Sequence, residues 1–387
     1  MSVLAILVFW ACVGVVAWVY AGYPLLVALL ADRFGDALEE PDPGREDFTP
    51  PITVVVAAYD EQARIGARIR DILAQDYPSD LLHVLVVSDG SSDRTAQAAR
   101  DAADGDPRVE VLELPCNRGK ATALNVAMER VHTPVVVFAD ARQRYAPHAL
   151  RRLAAPFADP GIGSVSGELV IEDVAAVGTP TRAVGLYWRM ERRLRADESR
   201  LEWLHGVSGA IHAVRRDCFR PLPPGTILDD MWIPLQVAFA GHRVWMARDA
   251  IAIDRASATP GEEFARKLRT LAGNWQLIAR MPTLLHPRRN PLFFAWFSHK
   301  FLRLLAPWAL LLALAASAVA PGPVFRVLFV LQVLGYACAA LGVAMPRFAA
   351  RMPLLPAAGA FVLLNLAALL SLPASLAPDA SRLWRKH

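Results

Sequence analysis

The chain has 387 residues, 54% of them apolar and 20% charged, with a formal charge of +4 and a mean hydropathy of +0.30. A soluble domain is usually about 45–50% apolar and about 25% charged, so a disordered chain, a collagen and a purely cytosolic globule are excluded. Nucleic acid is excluded as a partner too, because Lys and Arg neither gather in a tract nor interleave with aromatics.

The apolar surplus falls in four stretches without Asp, Glu, Lys or Arg: Met1 to Ala31, Leu304 to Phe325, Val327 to Pro346 and Met352 to Pro378. Each is long enough for a helix of about 20 residues across a hydrocarbon core of about 30 Å. The first lacks a basic leader and is too long for a signal-peptide core, so residues 1–31 are expected to be an uncleaved anchor. Arg33 and Arg45 follow it and nothing basic precedes it, which orients the next domain to the cytoplasm.

Residues 32–50 are rich in Pro, Gly and acids and are expected to be a linker. Residues 51–280 are expected to form one cytoplasmic domain. From Ile52 onward, short β-branched runs alternate with helical patterns: strands at Ile52 to Ala58, His83 to Ser88, Val109 to Leu114 and Val135 to Ala139, with helices around Ala63 to Ala74, Asp93 to Ala102 and Lys120 to Val131. That alternation predicts an α/β class, with a mostly parallel, Rossmann-type sheet covered on both faces. In such sheets ligands bind at the carboxyl ends of strands.

Acid-bearing loops follow the strands at that edge. They read Ala58-Tyr-Asp-Glu61, Ser88-Asp-Gly-Ser-Ser-Asp-Arg-Thr95 and Phe138-Ala-Asp-Ala-Arg142. Asp60, Asp89 and Asp93 also suit turns and helix N-caps. Asp140 closes an apolar run and needs a partner if it is partly buried. The four cysteines form no C-x-x-C pair, and neither a disulfide framework nor a zinc site is visible, which fits a reducing cytosol.

The order of Asp60-Glu61, Asp89 to Thr95, Asn117-Arg-Gly-Lys120, Asp140-Ala-Arg142, Leu228-Asp-Asp230 and Arg266-Lys-Leu-Arg-Thr270 resembles a family 2 glycosyltransferase. The resemblance covers about residues 50 to 280 and implies a GT-A fold, in a family that includes membrane-bound cellulose, chitin and hyaluronan synthases. It implies a nucleotide-sugar donor, UDP-linked sugars among the candidates, held by Asp60, Glu61, Asp89 and Lys120. It further implies a divalent metal, Mg²⁺ or Mn²⁺, on Asp140, and Asp230 beside Asp229 as the base.

The chemistry has its own logic. A departing diphosphate builds negative charge and calls for a metal or cations. An acceptor hydroxyl needs a carboxylate to take its proton, and paired acids such as Asp229 and Asp230 can raise one another's pKa. Asp229-Asp230 also suits a helix N-terminus.

Two departures from the family pattern stand out. Arg142 replaces the second acid of Asp-x-Asp; it pairs with phosphate, points away from a one-carboxylate metal site, or lies idle on the surface. Arg266 and Thr270 replace the Gln and Trp of Gln-x-x-Arg-Trp, leaving Arg269 for the diphosphate and no aromatic platform for a growing glycan. The segment is otherwise a solvated helix face.

Between these sites, Trp203, His205, Ser208 and Gly209 belong to the expected acceptor-side loop, with no proton-transfer role given to His205 or His212. Residues 281–303, with Phe293, Phe294, Trp296 and Phe297 among Pro and basic residues, are expected to form an interfacial helix. Residues 304–378 should hold the C-terminal spans and 379–387 a basic tail. Arg280, Arg288, Arg289, Lys300, Arg303, Arg347 and Arg351 fit the positive-inside pattern, whereas an odd number of spans leaves Arg382, Arg385 and Lys386 outside. No span carries a charge in its core, which argues against an ion-coupled transporter.

The expectation is therefore an inverting, membrane-bound glycosyltransferase, in a bacterial inner membrane with its catalytic domain cytoplasmic. Its acceptor would be a lipid-linked saccharide or a polysaccharide, and membrane lipid a further partner. The alternatives are a processive polysaccharide synthase and a non-catalytic nucleotide-binding membrane subunit.

Overall fold

The structure, a computed structural model, describes residues 2–35, 48–172, 180–255, 260–345 and 355–376. Most of the expected linker with Arg45, together with Arg347, Arg351 and the basic tail, lies outside the described residues.

The chain opens with helix α1 (Ser2–Ala17), a π-helical turn (Trp18–Gly22) and α2 (Tyr23–Phe34). The α/β domain begins with β1 (Ile52–Ala58), α3 (Gln62–Leu73), β2 (Leu82–Ser88), α4 (Thr95–Ala103) and β3 (Val109–Glu113). It continues through α5 (Lys120–Arg130), β4 (Val135–Ala139), β5 (Arg144–Tyr145), α6 (Ala149–Ala154) and β6 (Ile162–Glu172). Next come α7 (Pro180–Arg200), β7 (Ile211–Arg215), α8 (Asp229–Phe239), β8 (Arg243–Arg255) and α9 (Pro260–Arg280).

One eight-stranded sheet has the order β3-β2-β1-β4-β7-β6-β8-β5. Its first half is parallel, as the alternation of strands and helices requires. Beyond β4 it turns mixed: β7 runs antiparallel to both β4 and β6, while β6 and β8 are parallel. Val54 and Val56 of β1 face one buried cluster with Ile65 and Ile69 of α3, whereas Val55 faces another with Leu124 of α5 and Phe138 of β4. Burial on both faces is why β1 reads as an unbroken apolar run. Each such Val, Ile or Phe side chain contributes about 1.5–3 kcal/mol.

The second cluster also receives Leu284, Leu292 and Trp296, so the segment after α9 packs into the domain core. From there α10 (Phe293–Trp296), a second π-helical turn (Phe297–Phe301) and α11 (Leu302–Val319) form one helical run. Helices α12 (Pro323–Ala344) and α13 (Leu355–Leu376) complete the described chain. Among the described residues, four helical runs are long and apolar enough to cross a membrane: Val3–Phe34, Phe293–Val319, Pro323–Ala344 and Ala357–Leu376.

The second run begins well before the expected boundary at Leu304, because Lys300 and Arg303 do not stand as bare charges. Their side chains lie 3.7 and 2.9 Å from the Glu191 carboxylate of α7. Along α11, Ala309, Ala313 and Ala316, with Ala320 just past its end, pack with Ala5, Phe9 and Cys12 of α1. Small residues at this spacing let two apolar helices approach closely without a hydrophobic driving force between them. Trp275 of α9 donates its indole N–H to Ser371 Oγ of α13 at 3.0 Å, tying the domain to the helical half.

Candidate active site

Three strands of the parallel half end at one edge, and their loops interlock through the acids read from the sequence. Asp60, at φ 52, accepts the Ser92 backbone N–H at 2.7 Å and the Ser92 hydroxyl at 3.1 Å. Asp93 accepts the N–H of Gln62 at 3.1 Å and that of Thr95 at 2.9 Å, capping α4 while holding α3 beside it. Glu61 pairs with Arg64 at 2.8 Å.

Asp89 is 2% exposed, and its two carboxylate oxygens accept the N–H groups of Arg118 and Gly119 at 2.9 and 2.7 Å. Gly90 makes that approach possible: at φ +60, a β-carbon there would stand 2.2 Å from the Cys116 carbonyl carbon. The loop so held begins α5 with Lys120.

Lys120 is where distant segments meet. Its Nζ lies 3.1 Å from Asp140 Oδ1, at the end of β4, and 3.0 Å from Asp229 Oδ2, at the start of α8. Burial would lower the Lys120 pKa, but the carboxylates of Asp140, Asp229 and Asp230 raise it well above the ordinary lysine value. Burial alone would raise Asp140, and the nearby Lys120, Arg142 and His212 bring its carboxyl below the usual range.

Asp230 behaves in the opposite way. Burial and the Asp229 charge push its carboxyl up to about 7, with Lys120 and Arg195 opposing them. Its Oδ1 is buried without a hydrogen-bond partner. Its backbone carbonyl accepts the Val207 N–H at 2.9 Å, which draws the 203–209 loop against α8. A β-carbon at Gly209 would stand 3.4 Å from Asp230 Oδ2, so the missing side chain leaves the carboxylate approachable from that loop.

The sequence-predicted residues divide into three groups. Lys120, Asp140, Asp229, Asp230 and Gly209 converge, Ser208 beside Gly209 is held by Ser166 and His212, and Arg269 joins the cluster electrostatically: burial lowers its pKa while Asp140, Asp230 and Asp229 raise it. Asp60, Glu61 and Asp89 build the adjoining loop platform. Trp203 and His205 lie apart, against the helical run, with the Trp203 ring 5.5 Å from Phe294 and the His205 ring 5.1 Å from His299.

Arg142 extends to Asp254 of β8 at 2.8 Å, and Gln143 donates to the same carboxylate at 3.0 Å. Arg266 is held by Glu263 within α9. Thr270 donates its hydroxyl to the Arg266 carbonyl at 3.0 Å.

Sequence reasoning missed Arg195 and gave no chemistry to His212. Arg195 of α7 donates to Ser166 Oγ at 3.2 Å and to the Gly206 carbonyl at 3.3 Å, bracing the loop behind Asp230. Nothing in the Arg-rich run Arg189 to Arg200 marks it out. Burial drives His212 down to about 4 and His205 down to about 3, so both rings are neutral near pH 7.

Asp140 carries the fit of a metal to this site. Its side chain is 37% exposed and one of its oxygens faces Lys120. The neighbouring position that would double the carboxylate is Arg142, engaged with Asp254. The donor set therefore suits a hard divalent cation held by one protein carboxylate, with substrate oxygens completing the shell.

Residues 53–222 match the model of a family described as Glycosyl transferase family 2. An N-acetylglucosaminyltransferase of Rhizobium sp. (strain N33) is 27% identical over 294 residues, covering 73% of this chain and 63% of the relative. Another, from Rhizobium leguminosarum bv. trifolii, is 32% identical over 128 residues, 32% of this chain and 70% of that one. A beta-monoglucosyldiacylglycerol synthase of Synechocystis sp. (strain ATCC 27184 / PCC 6803 / Kazusa) is 30% identical over 138 residues, 35% of this chain and 29% of that one.

The chain spans 63% and 57% of the length of the first two N-acetylglucosaminyltransferases it matches. Among solved structures, the mannosyltransferase PcManGT from Pyrobaculum calidifontis, in complex with GDP-Man and Mn²⁺, superposes with a TM-score of 0.70 at 24% identity, covering 96% of this chain and 99% of that one. That likeness speaks for the fold.

Proposed function

We propose, since this chain belongs to glycosyl transferase family 2, that it moves a sugar from a nucleotide-sugar donor to an acceptor hydroxyl with inversion at the anomeric carbon. The sheet is the GT-A arrangement that the resemblance implied. The single observation that carries the reading is Asp230: a carboxyl raised to about 7, with one buried oxygen unpartnered, in the same cluster as Lys120, Asp140 and Asp229.

In this reading the nucleotide lies along the Asp60, Glu61 and Asp89 platform, with its diphosphate towards Lys120 and Arg269. These cations stabilise the charge that grows as the bond from C1 to the diphosphate oxygen breaks. A divalent cation held by Asp140 would add Lewis-acid stabilisation of the same leaving group. The acceptor hydroxyl enters over Ser208 and Gly209, forms the new bond at C1 from the opposite face, and yields its proton to Asp230. Asp229 and Lys120 act on Asp230 with opposite signs: Asp229 raises its basicity and Lys120 limits the rise.

Limited transfer to a lipid-linked acceptor is the version we favour over a processive synthase. Thr270 offers no aromatic platform and bonds back to its own helix. The acceptor-side loop meets the apolar run at Phe294, one of four such runs among the described residues. A cytoplasmic face of a bacterial inner membrane is the matching location. The convergence of Asp140 and Asp229 on Lys120 weighs against a subunit that binds nucleotide without turnover.

The test gives the detergent-purified protein a panel of sugar nucleotides and membrane-lipid extracts, with and without Mn²⁺ or Mg²⁺, and reads released nucleotide and glycolipid. Asp230→Asn is expected to lose transfer by about 10² to 10⁴ fold while retaining nucleotide binding. Full transfer by that variant would reject Asp230 as the base.

A further inference from the structure

Behind the acceptor-side loop lies a second buried cluster that the transfer reaction does not use. Glu198 of α7, His205 of the loop and His299 of the second π-helical turn are 0–1% exposed, and each offers a ligand atom within 4.8 Å of the others. The ring nitrogens facing away are already oriented. His205 Nδ1 lies 3.2 Å from the Trp203 carbonyl oxygen and His299 Nε2 lies 2.9 Å from Glu191 Oε1. Histidines that bind metal are usually fixed in this way, with the second N–H on a carbonyl or carboxylate. The nitrogens left for a ligand are His205 Nε2 and His299 Nδ1.

The His299 ring, bridging two glutamates, accounts for part of the cluster. His299 Nδ1 lies 2.8 Å from Glu198 Oε1, which also accepts the Tyr23 hydroxyl at 2.6 Å. That arrangement leaves Glu198 Oε2 buried without a partner, an arrangement that costs free energy in an apolar interior, and gives the His205 ring no function.

We infer that Glu198, His205 and His299 form a transition-metal site, of the kind that takes Zn²⁺, joining the catalytic domain to the membrane-length helical run. Two imidazoles and a carboxylate are a borderline donor set suited to Zn²⁺. The ion takes the place of the direct contact between His299 Nδ1 and Glu198 Oε1. With bonds of about 2.0–2.1 Å, tetrahedral ligands stand about 3.4 Å apart, so ligand atoms up to 4.8 Å apart close by up to about 1.4 Å, while His299 Nδ1 and Glu198 Oε1, 2.8 Å apart, open by about 0.6 Å. Water or the Tyr23 hydroxyl completes the shell. The role is structural: the site pins the loop that carries Ser208 and Gly209 to the helix that carries His299. It stands apart from the donor-side cation at Asp140, and it does not depend on the proposed transfer.

The test is elemental analysis of the full chain, expressed with zinc and purified in detergent without chelator. About one zinc per chain is expected, persisting in Asp140→Ala and falling to background in His205→Ala and in Glu198→Gln. Zinc at background in the unaltered protein, both as purified and after incubation with Zn²⁺, would overturn the proposal, as would full retention in both site variants. If those variants do not fold, X-ray absorption at the zinc edge of the unaltered protein decides. Two imidazole ligands are expected, and a shell without them overturns the site.

Discussion

The ammonium of Lys120 stands 3.0 Å from the carboxylate of Asp229, which joins the start of α5 in the parallel half of the sheet to the start of α8 in the mixed half. Asp140 stands on the same ammonium at 3.1 Å. One cation thus holds two acids, and Asp230, beside them, is left as the group whose charge is disfavoured.

That imbalance predicts a pH profile. With the Asp230 carboxyl at about 7, the proposed base is ionised above that pH and protonated below it, so kcat/KM should fall as pH drops through about 7. Asp229 contributes to the rise, so Asp229→Asn should move the acid limb to lower pH. Lys120 opposes the rise, so Lys120→Met should move it to higher pH. Rate profiles of the three proteins from pH 5 to 9 check both directions, and an unmoved limb in both variants would mean another group titrates.

The same shift makes a stability prediction with the opposite sense to activity. A carboxyl raised in the folded state, against about 3.9 when unfolded, costs nothing below about pH 4. The cost grows between pH 4 and 7 and is fully present above 7. Asp230→Asn, expected to lose transfer, should therefore melt at the same or a higher temperature than the unaltered protein at pH 8. Paired thermal melts at pH 5 and 8 measure this, and the gain should shrink at the lower pH.

Gly209 is predicted to set acceptor access. A β-carbon there stands 3.4 Å from Asp230 Oδ2, an ordinary contact for the fold but one that occupies the approach to the base. Gly209→Val should raise the acceptor KM by about tenfold or more, since about 1.4 kcal/mol of lost binding is a factor of ten. Donor affinity should stay within about twofold because the Asp60 and Asp89 platform is untouched. Steady-state kinetics with each substrate varied in turn separates the two.

Much of this site could be read from sequence because a parallel sheet delivers its loops to one edge, so acids after β1, β2 and β4 had to be neighbours. The partnership of Lys120 with Asp229 could not be read, since it depends on how β7 and α8 fold back. Nor could the parting of Trp203 and His205 from Ser208 and Gly209. Those four are close in sequence, but the Val207 N–H on the Asp230 carbonyl and the Trp203 ring on Phe294 pull the two ends towards different neighbours. The early start of the second apolar run was hidden for an electrostatic reason: Lys300 and Arg303 look like a boundary until Glu191 is placed beside them.

Gly90 is predicted to be intolerant of any side chain. Both its φ of +60 and a β-carbon 2.2 Å from the Cys116 carbonyl carbon oppose substitution, and the obstruction is backbone, which does not swing aside. Gly90→Ala should cost about 3 kcal/mol or more, read as a lower melting temperature, and should weaken donor binding by displacing the Asp89 carboxylate from the Arg118 and Gly119 N–H groups.

Arg142 and Asp140 separate a metal-side role from a scaffolding one. Arg142 is 48% exposed and pairs with Asp254, whose carboxylate keeps the Gln143 amide when the guanidinium is removed. Arg142→Ala should therefore leave the donor KM and the divalent-ion requirement within about threefold of the unaltered protein, as expected for a partly exposed ion pair. Asp140→Ala removes the carboxylate offered to the cation and one of the two held by Lys120. It should raise the Mn²⁺ concentration needed for half-maximal rate by about tenfold or more. Activation curves in Mn²⁺ at fixed donor concentration measure both variants. A large rise for Arg142→Ala with none for Asp140→Ala would exchange their roles, making the guanidinium the group that meets the diphosphate.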